Sequence, residues 1–169
     1  MEAFIVNEKW NINVVLCKYC DEETGNVQQI FNKIKMDKDV TPPFYMVTFI
    51  NGLNVGNQLA LFYCIDKIEA GSQIKRAHAG KIRLERKVDE TNSSNNTIEN
   101  NTVENGYIDM VSSRINGIKF PGLGAYELKV YGFTDKTEIA RVDQMDNKKR
   151  DNEFTNEHLF ATYPFEVVL

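Results

Sequence analysis

Residues 118–131 read IKFPGLGAYELKVY. Their two glycines and one proline could belong either to a phosphate-binding loop or to a turn that precedes a strand. A glycine-rich phosphate loop leads into a helix, whose free N–H groups and dipole meet the anion. Here Gly124 is followed by AYELKVYGF, in which apolar and polar side chains alternate. Pro121 fixes one backbone dihedral, and Gly122 and Gly124 permit positive φ angles. The stretch therefore predicts a turn that leads directly into a β-strand.

The same period of two residues recurs along most of the chain. Ile12, Val14 and Leu16 share one face of NINVVLC, and KIRLERKV alternates in the same way. PFYMVTFI and QLALFYCIDKI are almost continuously apolar, which is typical of strands covered on both faces. Turn signals such as DEETGN, DKDVTPP and TDKTE separate these runs. Short strands at this spacing predict an all-β, antiparallel β-sandwich of about eight strands.

The length and two unusual segments define the expected domain organisation. A chain of 169 residues can bury roughly 70% of its unfolded surface, so we expect one domain, residues 1–169. Residues 89–106, DETNSSNNTIENNTVENG, have few core-forming side chains and no basic residue, which predicts a flexible Asn-rich insertion. Residues 143–157 are polar nearly all round, and we predict a long polar loop there.

Composition excludes several classes of protein. The formal net charge of −4 disfavours general nucleic-acid binding, which needs excess cations to displace counterions from phosphates. The start, MEAFIVNEKW, lacks the basic and apolar regions of a secretory signal, and no run approaches the roughly 20 apolar residues that span a membrane. Three cysteines are too few for a disulfide scaffold. We therefore expect a cytoplasmic protein with no membrane association.

The residues that could carry chemistry do not form a recognisable set. Cys17 and Cys20 make one CxxC pair, whereas a structural zinc site needs four ligands. Alternation places these two cysteines on opposite faces unless the strand bends. His78 lies among cations and His158 follows a polar stretch, so neither is assigned a catalytic partner.

Two acidic turns offer a further possibility for metal binding. DEET at 21–24 and DKDV at 37–40 could face the same end of a sandwich and supply oxygen ligands to calcium. The more common alternative is a pair of solvated turns. We predict no enzyme, no metal and no cofactor.

The basic run at residues 75–87, KRAHAGKIRLERK, is the strongest indication of binding. Its only acid is Glu85. A face that presents several of its cations could hold an anionic ligand, a nucleotide or an acidic partner. The alternatives are a solvated edge strand, whose cations oppose aggregation, or neutralisation by the acidic insertion that follows. The candidate ligand-binding residues are Lys75, Arg76, Lys81, Arg83 and Lys87, of which Lys81, Arg83 and Lys87 share one predicted strand face.

The segment Gly124-Ala125-Tyr126-Glu127-Leu128 resembles the start of the penultimate strand in immunoglobulin-like sandwiches. There a Gly-x-Tyr-x-Cys run places a tyrosine at a corner, with its hydroxyl bonded back to the chain. Leu128 takes the place of the cysteine, and the only tryptophan, Trp10, lies near the start of the chain. The resemblance implies an immunoglobulin-like β-sandwich without a disulfide.

The whole chain is similar to a group of small bacterial and phage β-sandwich proteins. The similarity rests on VVLCKYCDEETGNVQQIF, VTFINGL, INGIKFPGLGAYELKV and YPFEVVL, which cover about half of the chain. It implies a fold and a cytoplasmic setting, and it implies no reaction.

These observations favour a non-enzymatic binding or protein-interaction module for an unknown protein or a small anionic ligand. Sheet edges pair readily, so a homo-oligomer is an open possibility. One alternative is a phage-encoded sponge or inhibitor of a host defence system, which would sequester a nucleotide signal in a pocket of arginine and aromatic side chains at a subunit boundary. The other is an enzyme of unrecognised type.

Overall fold

The computed structural model describes residues 11–36, 39–51, 58–69, 71, 74–88, 94–98, 101–103 and 108–169, with the backbone alone at 85–88, 94–98, 101–103, 108 and 109. The described strands are β1 (Asn11–Asp21), β2 (Asn26–Ile30), β3 (Lys33–Lys35), β4 (Phe44–Asn51), β5 (Gln58–Lys67), β6 (Lys75–Val88), β7 (Ser94–Ile98), β8 (Asn101–Val103), β9 (Ile108–Ile115), β10 (Gly124–Phe133) and β11 (Leu159–Val168). The helices are α1 (Lys136–Asp143) and α2 (Asn147–Arg150), followed by 3₁₀ turns at Asp151–Glu153 and Asn156–His158.

The strands form two sheets. Sheet A has the order β2-β1-β4-β9, and sheet B has the order β3-β11-β10-β5-β6-β7-β8. Five neighbouring strands of sheet B, in the order β3-β11-β10-β5-β6, curl into a half-barrel. The prediction of a mostly β, two-sheet protein is confirmed. Two details are corrected, since eleven strands rather than about eight are described, and β3 pairs with β11 in parallel.

The main core lies between the sheets and is built by the alternation read from the sequence. Val14 and Leu16 of sheet A are buried with Tyr126, Leu128 and Val130 of sheet B in one cluster. On β5, the side chains of Leu59, Leu61 and Ile65 enter this cluster, whereas Ala60 and Phe62 belong to a second one on the other face. The near-continuous apolar sequence of β5 is thus explained by burial on both faces.

The opening stretch forms the predicted turn and strand. Gly122 and Gly124 have φ values of 125° and 124°, and β10 begins at Gly124. The hydroxyl of Tyr126 donates a hydrogen bond of 2.6 Å to the carbonyl of Gly122. The Tyr126 ring packs against Phe120, with ring centroids 4.7 Å apart, and fixes the turn to the core.

A helical segment, residues 135–158, replaces the long polar loop predicted for 143–157. Asp135 and Asp146 begin α1 and α2 by accepting hydrogen bonds of 2.8 Å from the backbone N–H groups of Glu138 and Lys149. The helical segment covers the outer face of sheet B, where Ile139 and Val142 join the second apolar cluster. Polar composition concealed the helices because each is short and buries few side chains.

The predicted insertion at 89–106 falls largely outside the described residues. Its two described parts, β7 and β8, extend sheet B beyond β6. Among the described helices, none has the length and apolar content needed to cross a membrane.

Candidate functional site

The predicted basic face lies on the outer side of sheet B. This is the side on which the helical segment packs. On β6, Lys81 pairs with Phe62 and Arg83 pairs with Ala60, two residues of the second apolar cluster. Lys81 and Arg83 therefore share one face, as the alternation predicts. The backbone of Lys87 belongs to the same strand, but its side chain lies outside the described residues.

Asp143, at the end of α1, binds both of these cations. Its carboxylate lies 2.7 Å from Lys81 Nζ and 3.6 Å from a terminal nitrogen of Arg83. The hydrogen bond from Lys81 lowers the pKa of the Asp143 carboxyl, and the nearby Arg83 charge acts in the same direction. The helical segment is thus a source of neutralising charge for this face, and the side chains of the acidic insertion lie outside the described residues.

Arg76 reaches the outer face through an irregularity in the strand pair. The register shifts between Ile65 and Asp66, so that Arg76 lies opposite Asp66. Its Nε donates to one Asp66 oxygen at 2.9 Å and Nη2 to the other at 3.3 Å, while Nη1 pairs with Asp151 of the helical segment. Although burial opposes the charge, the bonds to Asp66 and Asp151 raise the pKa of the Arg76 guanidinium.

Lys75 lies apart from the other candidates, because it is the first residue of β6. Its ammonium is 2.9 Å from Glu69, which also binds Lys67 at 2.8 Å. The hydrogen bonds from Lys67 and Lys75 lower the pKa of Glu69. Four of the five candidate cations therefore have carboxylate partners, and three of them, Arg76, Lys81 and Arg83, contact the helical segment.

A cleft of about 200 Å³ separates the outer face of β5 and β6 from the helical segment. Its lining includes the cations Arg76, Lys81 and Arg150, and among the described residues Asp151 is the only carboxylate that lines it. The rings of Phe62 and Phe154 form its apolar wall, 5.7 Å apart between centroids. We refer to this space as the cleft.

Arg150 holds the helical segment in shape at one wall of the cleft. Its Nε donates to the Val142 carbonyl at 3.1 Å, and its Nη2 donates to the carbonyls of Asp143 and Met145 at 3.1 and 2.9 Å. The guanidinium carbon lies 5.0 Å from the centroid of Phe62. Sequence reasoning missed Arg150 and Phe154, although the capping residues Asp135 and Asp146 were signals of ordered helix starts around them.

The cysteines occupy positions that suppress thiolate chemistry. Burial raises the pKa of Cys17 to about 11 and that of Cys64 to about 12, and burial also raises the pKa of Cys20. All three are free thiols. Within the part of the chain that the structure describes, no three His, Cys, Asp or Glu side chains are grouped closely enough to hold a metal ion.

The histidines pack against aromatic rings. His78 Nε2 lies 3.4 Å from the hydroxyl of Tyr63, and burial lowers the pKa of His78. His158 stacks on Phe133, with centroids 4.2 Å apart, and its Nδ1 lies 3.2 Å from the carbonyl of Gly132. These contacts give both imidazoles structural roles.

The two acidic turns are only partly described, because residues 37 and 38 lie outside the described ranges. In the other turn, Glu22 accepts hydrogen bonds of 2.9 and 2.6 Å from the backbone N–H and the hydroxyl of Ser112. Asp21 accepts one of 3.0 Å from the N–H of Glu23. These bonds fix the β1–β2 hairpin against β9.

Compared with protein-family models, curated proteins and solved structures, the chain gives no match.

Proposed function

We propose that this protein is a non-enzymatic binding module that holds a small anionic ligand in the cleft. The observation that carries the proposal is the composition of the cleft lining, in which three cations, Arg76, Lys81 and Arg150, stand against one carboxylate, Asp151, among the described residues. Lys81 keeps donor capacity for a ligand, since an ammonium has three N–H groups and Asp143 accepts one of them. Phe62 and Phe154 supply apolar surface to the lining.

The size of the cleft favours a small anion over a large one. Pockets for drug-sized ligands usually occupy about 300–1,000 Å³, and this cleft has about 200 Å³. A phosphate, sulfate or carboxylate group fits that space with its charge near Lys81 and Arg76. The proposed ligand is therefore inorganic phosphate or a molecule that inserts one such group.

We further propose that the fold is an immunoglobulin-like sandwich. In such folds, strands A, B and E share one sheet, and strands G, F, C and C′ share the other. The order β1-β4-β9 corresponds to A-B-E, and β11-β10-β5-β6 corresponds to G-F-C-C′. Tyr126 lies on β10, the penultimate strand. The hydrogen bond from its hydroxyl to the Gly122 carbonyl supports the same assignment. The free cysteines support a reducing, cytoplasmic setting.

Thermal unfolding with and without inorganic phosphate tests the ligand proposal. A ligand at 100 times its Kd stabilises the native state by about 2.7 kcal/mol, which raises Tm by roughly 5–11 °C for a chain of this size. Lys81→Glu should abolish the shift because it reverses the charge inside the cleft. Lys129→Glu is the matched control, since Lys129 lies on β10, pairs with Glu127 at 3.6 Å and does not line the cleft.

The outcomes separate the proposals. A phosphate-dependent shift in the wild type and in Lys129→Glu, lost in Lys81→Glu, supports the cleft as the site. No shift in the wild type, or an equal shift in all three proteins, contradicts it. A cyclic nucleotide that raises Tm where phosphate does not would favour the second candidate, sequestration of a nucleotide signal, for which the arginine and phenylalanine lining is the motivating observation.

A further inference from the structure

A second concave surface lies at the opposite edge of sheet B, away from the cleft. It is a groove of about 340 Å³ between the β1–β2 hairpin, β3 and the start of β4. Three lysines, Lys18, Lys33 and Lys35, and the apolar side chains of Tyr19, Phe31 and Pro43 contribute to its lining. We refer to this surface as the groove.

The floor of the groove is held in place by the core. Phe31 packs edge-on against Phe44, with ring centroids 5.6 Å apart. Its N–H donates to the Leu16 carbonyl at 3.1 Å, and its own carbonyl accepts a hydrogen bond from the hydroxyl of Tyr163. A partner that bound here would meet a preformed surface and would lose little affinity to reordering of the protein.

The groove and the chain next to it carry exposed apolar side chains. Tyr19 is 58% exposed within it. Ile30, which precedes Phe31, is also 58% exposed, and Val40, two residues before Pro42, is 46% exposed. An exposed large apolar side chain such as Tyr19 in a concavity that is also lined by charged groups is a mark of an interaction surface.

The charge of the groove is one-sided. Among the described residues no carboxylate lines it, and the nearby Glu166 is 3.9 Å from Lys33, with both side chains about half exposed or more. An ion pair of that length and exposure contributes little, so it leaves the positive character of the surface intact. A cationic surface on a chain of net charge −4 selects an acidic partner.

The edge of β3 offers backbone groups as well. Among the described strands, β3 is the last on its side of sheet B, and it pairs in parallel with β11. The Asn32 carbonyl and the Met36 N–H bond to β11. Because backbone groups alternate in direction along a strand, the N–H and C=O groups of Lys33 and Lys35 point away from β11, toward the free edge. Their side chains flank that edge.

We propose that the groove binds an extended acidic segment of a partner protein, which adds to the β3 edge as a further strand. Backbone hydrogen bonds to Lys33 and Lys35 position the segment, and its carboxylates pair with the three lysines. An apolar side chain of the segment rests on Tyr19 and Phe31. Strand addition of this kind draws affinity from the backbone and specificity from alternate side chains. The proposal is independent of the cleft and its ligand.

Fluorescence anisotropy with a labelled eight-residue peptide that alternates glutamate with valine tests this proposal. The full chain should bind it, and Lys33→Glu combined with Lys35→Glu should weaken binding at least tenfold. The matched control is Lys148→Glu combined with Lys149→Glu, since these two exposed lysines on α2 line neither concavity. The control should change the affinity less than twofold. A peptide N-methylated at alternate residues should also bind at least tenfold more weakly, because it cannot complete the ladder.

Other occupants of the groove give distinct results. Equal binding of a lysine–valine peptide, equal loss in both double variants, or no binding by the wild type contradicts the proposal. Self-association that the groove variant alone loses, seen by sedimentation without peptide, would assign the groove to a second copy of this chain instead. Binding to anionic phospholipid vesicles without binding to the peptide would also overturn it. Unchanged Tm and far-UV dichroism establish that the variants fold.

Discussion

At the scale of single residues, one glycine leaves no room for a side chain because it faces an aromatic ring across a strand pair. Gly80 on β6 lies opposite Tyr63 on β5, and a Cβ at Gly80 would overlap the Tyr63 ring. Glycine in a strand ordinarily weakens it, so an alanine would be expected to stabilise an open position. Here the ring occupies the space that the methyl group needs.

We therefore expect Gly80→Ala to destabilise the protein by about 1–3 kcal/mol, the usual cost of overpacking. Urea unfolding measures the change. In a Tyr63→Leu background the same substitution should cost less, because the phenol ring is gone. An equal cost in both backgrounds would place the strain elsewhere.

Residue-scale reasoning also shows which parts of the site could be predicted from the sequence. Lys81 and Arg83 lie on the predicted face because alternation holds along that part of β6. Arg76 would have alternated onto the core side. The shift between Ile65 and Asp66 turns it outward instead, and leaves Ala77 against the core. Strand irregularities of this kind depend on long-range pairing and have no local sequence signature.

At the scale of elements, the strands were predictable and the helices were not. Long apolar or alternating runs of sequence indicate β5 and β10. In contrast, α1 has eight residues and buries only Ile139 and Val142. Isolated helices of this length are marginal in water. α1 is stabilised by packing on Phe62 and Phe133, which belong to sheet B. The sequence of α1 alone does not contain that contact.

The helical segment should be held by this apolar packing more than by its ion pairs. Ile139→Ala removes a side chain that is 1% exposed and should cost about 2–4 kcal/mol. Asp143→Asn breaks pairs with Lys81 and Arg83 that are 44% and 42% exposed, and should cost less than about 1 kcal/mol after solvent screening. Chemical unfolding of the two variants under identical conditions compares them. A larger cost for Asp143→Asn would mean that the ion pairs, and not the apolar packing, hold the helical segment in place.

At the scale of the whole molecule, opposite charges are organised into local pairs on an acidic chain. Three cations of β6, Arg76, Lys81 and Arg83, are bound by carboxylates of β5 and the helical segment, and those of the helical segment are distant in sequence. These three cations looked unpaired in the linear sequence and are paired in the fold. The lysines of the groove differ, since no carboxylate lines the groove among the described residues and the pair of Lys33 with Glu166 is 3.9 Å long. Charge runs read along the sequence identify cations, and only the fold assigns their partners.

This charge organisation predicts how stability depends on pH. Burial lowers the pKa of His78 from its ordinary value of 6.5, so the unfolded chain takes up the proton first and stability falls as pH drops below that value. Cations lower the pKa values of Asp143, Glu69 and Glu153 from 3.8 and 4.5. Their stabilisation is complete above those ordinary values and is lost as pH falls below them. Both effects destabilise the protein in acid, in two separate windows.

Urea midpoints measured from pH 8 to pH 3 should resolve these windows. His78→Gln should flatten the upper decline, between pH 7 and pH 5, and leave the lower decline in place. Lys81→Gln should reduce the lower decline, because the Asp143 carboxyl loses the hydrogen bond that holds its pKa down. If His78→Gln reduced only the decline below pH 4, the upper window would belong to another group and the buried, neutral state of His78 would be wrong.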